Sequence, residues 1–175
     1  LAPFLPAGFY YKTFMWPKSF WEKYEFFIRH SAGLGKSPTT KDPDIYDHRN
    51  IHCDVLVVGA GISGILAAKN AAKNNYKTLL LDEKNELGGS TIFETNENKK
   101  INNTFSSEWL KKEISELKNI KNLEIKTRTS VAAYHQYNYL LARENLTDHL
   151  EKKDKKNKIR QRLLKIRAKK VILAT

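Results

Sequence analysis

Apolar and polar positions along the chain follow two different periods. From Pro17 to Ile28 the apolar residues recur at helical spacing: Phe20, Trp21, Tyr24, Phe27 and Ile28 share one face, and Pro17 suits a first turn. Gly33 and Gly35 then end the segment. The stretch before it is extended and irregular, broken by Pro3, Pro6 and Gly8. Ser37 to Asn50 is polar, holds Pro38 and Pro43, and reads as a connector.

After Cys53 the pattern changes. Asp54–Val58 is a β-branched apolar run, Ile62 to about Asn74 a helix, and Lys77–Asp82 a second strand. Ser106 or Ser107 caps a helix running to about Leu117, with Trp109, Ile114 and Leu117 apolar. Leu123–Val131 predicts a third strand. Ala132 to Arg167 reads as a β-meander with a basic turn at its far end, returning into a strand Lys170–Ala174. That last strand stops at its carboxyl end, where a loop should follow, and Leu1 is no initiator Met. Both ends therefore look cut.

Composition sharpens this outline in three places. Eleven of the nineteen Phe, Trp and Tyr residues precede Ile28. That aromatic face either packs on a neighbouring domain or lines a pocket through Trp16 or Trp21. The net charge is +12, but residues 151–170 alone carry +9 of it, so the excess is local. A charge run supplies no readout device, and no stacking aromatic stands among its lysines, so nucleic acid is not the expected partner. Cys53 is the single cysteine, which rules out an internal disulfide framework and a multi-Cys metal site. With no secretory pattern and no apolar run long enough to span a bilayer, a cytoplasmic setting is expected and no membrane partner.

The chemistry sits in Gly59-Ala60-Gly61-Ile62-Ser63-Gly64, between the strand ending at Val58 and the helix starting at Ile62. Gly59 lets the chain leave the strand sharply. Gly61 leaves room for backbone amides to approach a diphosphate, and Gly64 lets the helix pack closely on the sheet. The helix N-terminus adds free N–H donors and partial positive charge. Asp82 stands eighteen residues after Gly64, at the end of the next strand, where a carboxylate accepts from ribose hydroxyls. Glu83 is the candidate if the strand ends one residue later. A 2′-phosphate would be repelled there, so NAD or FAD is expected before NADP. Gly88 and Gly89 either bring a second stretch of backbone against the dinucleotide or form only a turn. The predicted class is α/β: a partial Rossmann-like dinucleotide-binding domain, truncated at its C-terminal end, with a parallel sheet, a Gly-x-Gly-x-x-Gly βαβ unit and an inserted β-meander. The expected division is an aromatic-rich helical segment and linker at 1–50 and the FAD/NAD(P)-binding domain at 51–175.

The acid followed by Leu87-Gly88-Gly89, and the closing Val171-Ile-Leu-Ala-Thr175, resemble the flavoproteins with two dinucleotide domains. More narrowly, Pro6-Ala-Gly-Phe-Tyr-Tyr-Lys-Thr-Phe-Met-Trp-Pro17, Cys53-Asp-Val-Leu-Val-Val-Gly59 and the run from Arg160 to Thr175 are similar to the alpha subunit of heterotetrameric sarcosine oxidase. The resemblance covers essentially the whole chain, and the aromatic block is its most specific part. It implies oxidative demethylation of sarcosine to glycine, with hydrogen peroxide formed and the one-carbon unit passed to tetrahydrofolate. NAD lies on the alpha subunit in that family, FAD on the beta subunit and FMN at a subunit interface, with gamma and delta subunits completing the complex. Gly59, Gly61, Gly64 and Asp82 match the dinucleotide motif; Gly88 and Gly89 match more loosely. Lacking here, against the family, are a ferredoxin-like region before Leu1, the Gly after Thr175 and the folate-binding region, so this piece alone is expected to be inactive. No catalytic residue and no metal ligand are assigned: His30, His48, His52, His135 and His149 are scattered. Two other readings stay open. One is an FAD-dependent amine dehydrogenase or pyridine nucleotide-disulfide-type reductase subunit, since the glycine loop meets the same ADP half. The other is a basic nucleic-acid-binding or scaffold module.

Overall fold

In the computed structural model, the residues described are 16–35, 39–93, 100–101, 103–155 and 157–175. The irregular opening at 1–15, and Ser37 and Pro38 of the connector, lie outside them. The chain divides into two compact units, Leu1–Pro43 and Asp44–Thr175.

In the first unit a 3-10 turn, Lys18–Phe20, leads into helix α1, Trp21–Ser31. Gly33 takes a φ of 69°, and the Leu34 N–H reaches back to Arg29 O at 3.0 Å, closing the helix with a left-handed glycine. No residue of α1 is buried. Trp21, Tyr24 and Ile28 are half-covered, while Phe27 is 69% exposed.

The second unit is an α/β layer structure. Its elements are β1 (Ile45–Val58), α2 (Ile62–Lys73), β2 (Thr78–Leu81), a 3-10 turn (Gly89–Phe93), β3 (Lys100–Ile101) and β4 (Thr104–Phe105). There follow α3 (Ser106–Lys118), β5 (Leu123–Lys126), β6 (Thr129–His135), β7 (Tyr139–Asn145), α4 (Lys152–Lys155) and β8 (Ile159–Leu173). The main sheet runs β5-β2-β1-β8-β7-β6. Its first four strands are mutually parallel, β7 is antiparallel to β8, and β6 is antiparallel to β7.

Three sequence expectations need correction. The connector ends earlier than Asn50, because β1 starts at Ile45 and pairs with β8 along its whole length. Its polar residues are held as a strand by ion pairs: Asp47 to Arg162 at 2.7 Å, and Asp44 to Arg160. The single strand expected over Leu123–Val131 is two strands, broken where Arg128 turns with a φ of 55°. The last meander strand and the closing strand are one, β8. A smaller correction concerns α3: Phe105 occupies the cap position with no side-chain bond, and Ser106 is already helical.

The sheet has a core on each face. On one side Leu56, Val58, Leu79 and Leu81 meet Leu140, Ala142, Leu164 and Ile166, so the meander curls over the parallel strands. On the other side α2 and α3 cover Val55, Val57 and Leu80 with Ile65, Ala68, Trp109, Leu110 and Leu117. Each fully buried leucine contributes about 1.5–3 kcal/mol relative to exposure. The two faces trade places at Asp54. Cys53 belongs to the meander core and Val55 to the helical one, because the N–H groups of Asp54 and Val55 both bond to Lys77 O, at 2.8 and 3.2 Å. That shared acceptor is a bulge. Helix α2 ends where Asn75 takes a φ of 65° and bonds to Ala72 O at 3.0 Å. Between α2 and α3, Lys69 bridges Glu113 at 2.5 Å and Glu116 at 2.7 Å.

Candidate functional site

The glycine loop leaves β1 at the middle of the sheet. Gly59 N–H bonds to Leu81 O at 2.8 Å, and Ala174 N–H to Val58 O at 2.8 Å, so the loop emerges between β2 and β8. Gly59 has a φ of 96°, and a Cβ there would stand 2.5 Å from Ala174 O. Gly64 is buried under the loop: its Cβ would lie 1.9 Å from Gly59 O. Gly61 differs from both. A Cβ on it would meet nothing within 4 Å, its φ is ordinary, and it caps α2 with extended backbone. The first amides of α2, on Ile62, Ser63 and Gly64, have no intrahelical acceptor by construction. Open space beside Gly61 therefore adjoins free N–H donors and the positive end of a helix, which is what a diphosphate requires.

Asp82 stands across from this loop. One oxygen accepts Ala60 N–H at 2.6 Å and the other accepts Lys84 N–H at 2.8 Å. The residue is 9% exposed, so the carboxylate is fixed in place. Each oxygen has two lone pairs, and one bond to each leaves capacity for a hydroxyl pair. Glu83 is exposed beside it.

The second glycine pair is docked onto the first. Gly88 N–H bonds to Ala60 O at 2.7 Å. A Cβ on Gly88, whose φ is 128°, would collide with Leu110 Cδ2 at 2.5 Å; one on Gly89 would sit 3.1 Å from Gly61 Cα. Gly88 thus serves the packing of the loop on α3, and Gly89 faces the cleft.

Together these elements wall a cleft of about 410 Å3. Of the residues singled out in the sequence, Gly59, Ala60, Gly61, Asp82, Glu83 and Gly89 line it. Ile62 packs its side chain into the helical core, Ser63 points to solvent, and Gly64 and Gly88 lie buried behind the wall. The sequence reading missed Lys84, Ser90 and the row Thr129, Ser130 and Val131. The β6 residues arrive because Thr129 N–H bonds to Asp82 O at 2.8 Å, a link between distant segments with no local signal. Ala174 and Thr175 close the cleft at the end of β8.

The remaining chemistry-bearing groups stand elsewhere. Burial pushes the Cys53 thiol up to about 11, which makes it a poor nucleophile. His30 stacks on Phe26, His135 approaches Tyr139, and His149 lies beside Asp148. Among the described residues no three His, Cys, Asp or Glu groups converge as metal ligands, and no helix is long and apolar enough to cross a membrane.

A mostly parallel sheet, a glycine turn at a helix N-terminus and a fixed acid on the next strand define the Rossmann-like FAD/NAD(P)-binding class. Residues 54–169 match the FAD dependent oxidoreductase family, and the chain belongs to it. It is similar to sarcosine oxidase subunit alpha of Rhizobium meliloti (strain 1021), 39% identical over 100% of this chain and 17% of that protein. The same subunit of Corynebacterium sp. (strain U-96) is 38% identical over 82% of this chain and 15% of its own length. The chain therefore spans only about a sixth of these curated relatives. L-proline dehydrogenase from P. horikoshii shares the fold with a TM-score of 0.58 and 24% identity, over 74% of this chain and 23% of that one.

Proposed function

We propose that the cleft binds the ADP half of an adenine dinucleotide, NAD, and that the chain is the nucleotide-holding part of an alpha-type subunit in a sarcosine oxidase-type complex. One observation carries the reading: the open space at Gly61, beside the α2 N-terminus and opposite a fixed carboxylate. In this reading the amides of Ile62, Ser63 and Gly64 hold the diphosphate and Asp82 the ribose hydroxyls, with Glu83 beside it. Two adjacent carboxylates repel a 2′-phosphate, which favours NAD or FAD over NADP. The bound cofactor supplies the redox chemistry; these residues bind and orient it.

For the whole protein the proposed reaction is oxidation of sarcosine. The amine loses two electrons, dioxygen accepts them as hydrogen peroxide, and the one-carbon unit passes to tetrahydrofolate, leaving glycine. The substrate follows the relatives' names; peroxide, folate, the beta, gamma and delta partners and the FMN and FAD sites follow the sequence resemblance.

The family match also favours a second reading, with FAD in the cleft. Both cofactors present the same ADP half to the loop. Denaturing the full-length protein and identifying the released nucleotide by mass and absorbance separates them, since oxidised flavin absorbs near roughly 450 nm. Release of NAD supports the first reading and FAD the second; a protein that neither carries nor takes up an adenine dinucleotide defeats both.

A further inference from the structure

Above the Asp54 bulge, β1, β8, β7 and β6 form a four-stranded sheet with only one face on the core. Leu140, Ala142, Leu164, Ile166 and Ala168 point inward, so the alternate residues point out. The register sets them in cross-strand rows: His48, Leu163 and Arg143; Asn50, Lys165 and Leu141; His52, Arg167 and Tyr139.

This outer face is strongly biased in charge. It carries Arg143, Lys165, Arg167 and Lys169 against one carboxylate, Asp54, which is already bonded to Lys169 at 2.8 Å. Arg143 and Lys165 make no ion pair among the described residues. Arg167 is held ready, lying 4.9 Å over the Tyr139 ring and donating to Tyr137 O at 3.0 Å. Between the cations stand apolar side chains, with Leu163 40% exposed.

We infer that this sheet face docks an acidic protein surface. The inference rests on reading the chain as one subunit of a larger assembly. Cations without carboxylates of their own are available to pair with those of a partner. Arg and Tyr are both enriched at protein interfaces. A nucleic acid fits less well, because the Tyr139 ring on this face is already covered by Arg167 and does not stack a base.

The test uses the full-length protein purified with its partner polypeptides. Zero-length carbodiimide cross-linking is expected to join Lys165 to an Asp or Glu of another polypeptide. The double variant Arg143→Glu, Arg167→Glu is expected to weaken subunit association by about tenfold or more at low salt, and Lys165→Glu alone to weaken it in the same direction. Cross-links from Lys165 confined to its own chain, or unchanged association in both variants, overturn the inference. So does a partnerless chain whose face binds a short duplex RNA. Titration with NAD and FAD on the same preparations tests the cofactor reading separately: a protein that binds dinucleotide yet assembles without this face overturns the docking inference alone.

Discussion

The carboxylate of Asp82 accepts the Ala60 N–H at 2.6 Å, tying the end of β2 to the glycine loop. The acid therefore shapes the loop as well as facing the cleft, and these two roles respond differently to substitution. Asp82→Asn keeps one carbonyl acceptor but loses the charge and puts an amide NH2 against either Ala60 N–H or Lys84 N–H. Dinucleotide affinity is expected to fall by about 1–3 kcal/mol, with a smaller loss of stability. Calorimetric titration of the full-length protein checks the first and thermal melting the second; unchanged affinity would remove the ribose assignment.

Gly61 and Gly64 give a sharper contrast. A Cβ at Gly61 enters empty space at a permitted φ, so Gly61→Ala should melt within a few degrees of the wild type yet lose dinucleotide binding. A Cβ at Gly64 drives into Gly59 O, so Gly64→Ala should cost about 2–4 kcal/mol of stability. Melting and titration of both variants check the pair. Normal binding by Gly61→Ala would show that no ligand approaches there.

Lys69 is 15% exposed in its side chain and Glu113 9%. Lys69→Met leaves a buried carboxylate without its cation, an expected loss of about 2–4 kcal/mol, and Lys69→Met with Glu113→Leu should recover most of it. Urea denaturation of the two single variants and the double variant measures the coupling directly.

Charge pairs also bound the range of stability against pH. Burial lowers the Lys69 pKa, but the hydrogen bonds it donates to Glu113 and Glu116 outweigh it and hold the group above the ordinary 10.5. Its contribution is complete below 10.5 and lost as pH rises through the folded value. Asp47 goes the other way: the hydrogen bond from Arg162 holds it below 3.8. Its contribution is present above 3.8 and lost as pH falls through the folded value. Urea midpoints measured across pH should stay flat from the acid limit only to about 9.0, because the Cys53 thiol, raised to about 11 in the fold, ionises first in the unfolded chain; Asp47→Asn should remove part of the acid-side fall.

Cys53 gives a simple probe of the fold. With the thiol raised to about 11 and buried, it should label slowly with a disulfide reagent at neutral pH and rapidly in denaturant. Fast labelling of the native protein would contradict the meander core.

Much of the glycine-loop half of the fold was legible because each step left a local mark. Val58 before Gly59, the glycine spacing and Asp82 after an apolar run are short-range signals. What escaped were features built by distant partners. Residues 45–50 looked like connector because Asp47 is stabilised by Arg162, more than a hundred positions away. The break at Arg128 has no Gly or Asn to announce it. Thr129, Ser130 and Val131 reach the cleft only because the meander folds back onto Asp82. The role of Gly88 was hidden for the same reason, since Leu110 lies on a later helix.

The long pairing of β1 with β8 has a consequence for how the chain can misassemble. Both strands run unbroken from the outer sheet to the loop, and Ala174 O sits against Gly59 where only hydrogen fits. A slip of one residue between them would turn leucines outward, drive lysines into the interior and leave the turn without its seat. The glycine bend thus acts as an alignment stop, and folding errors in the remote meander should be felt there first.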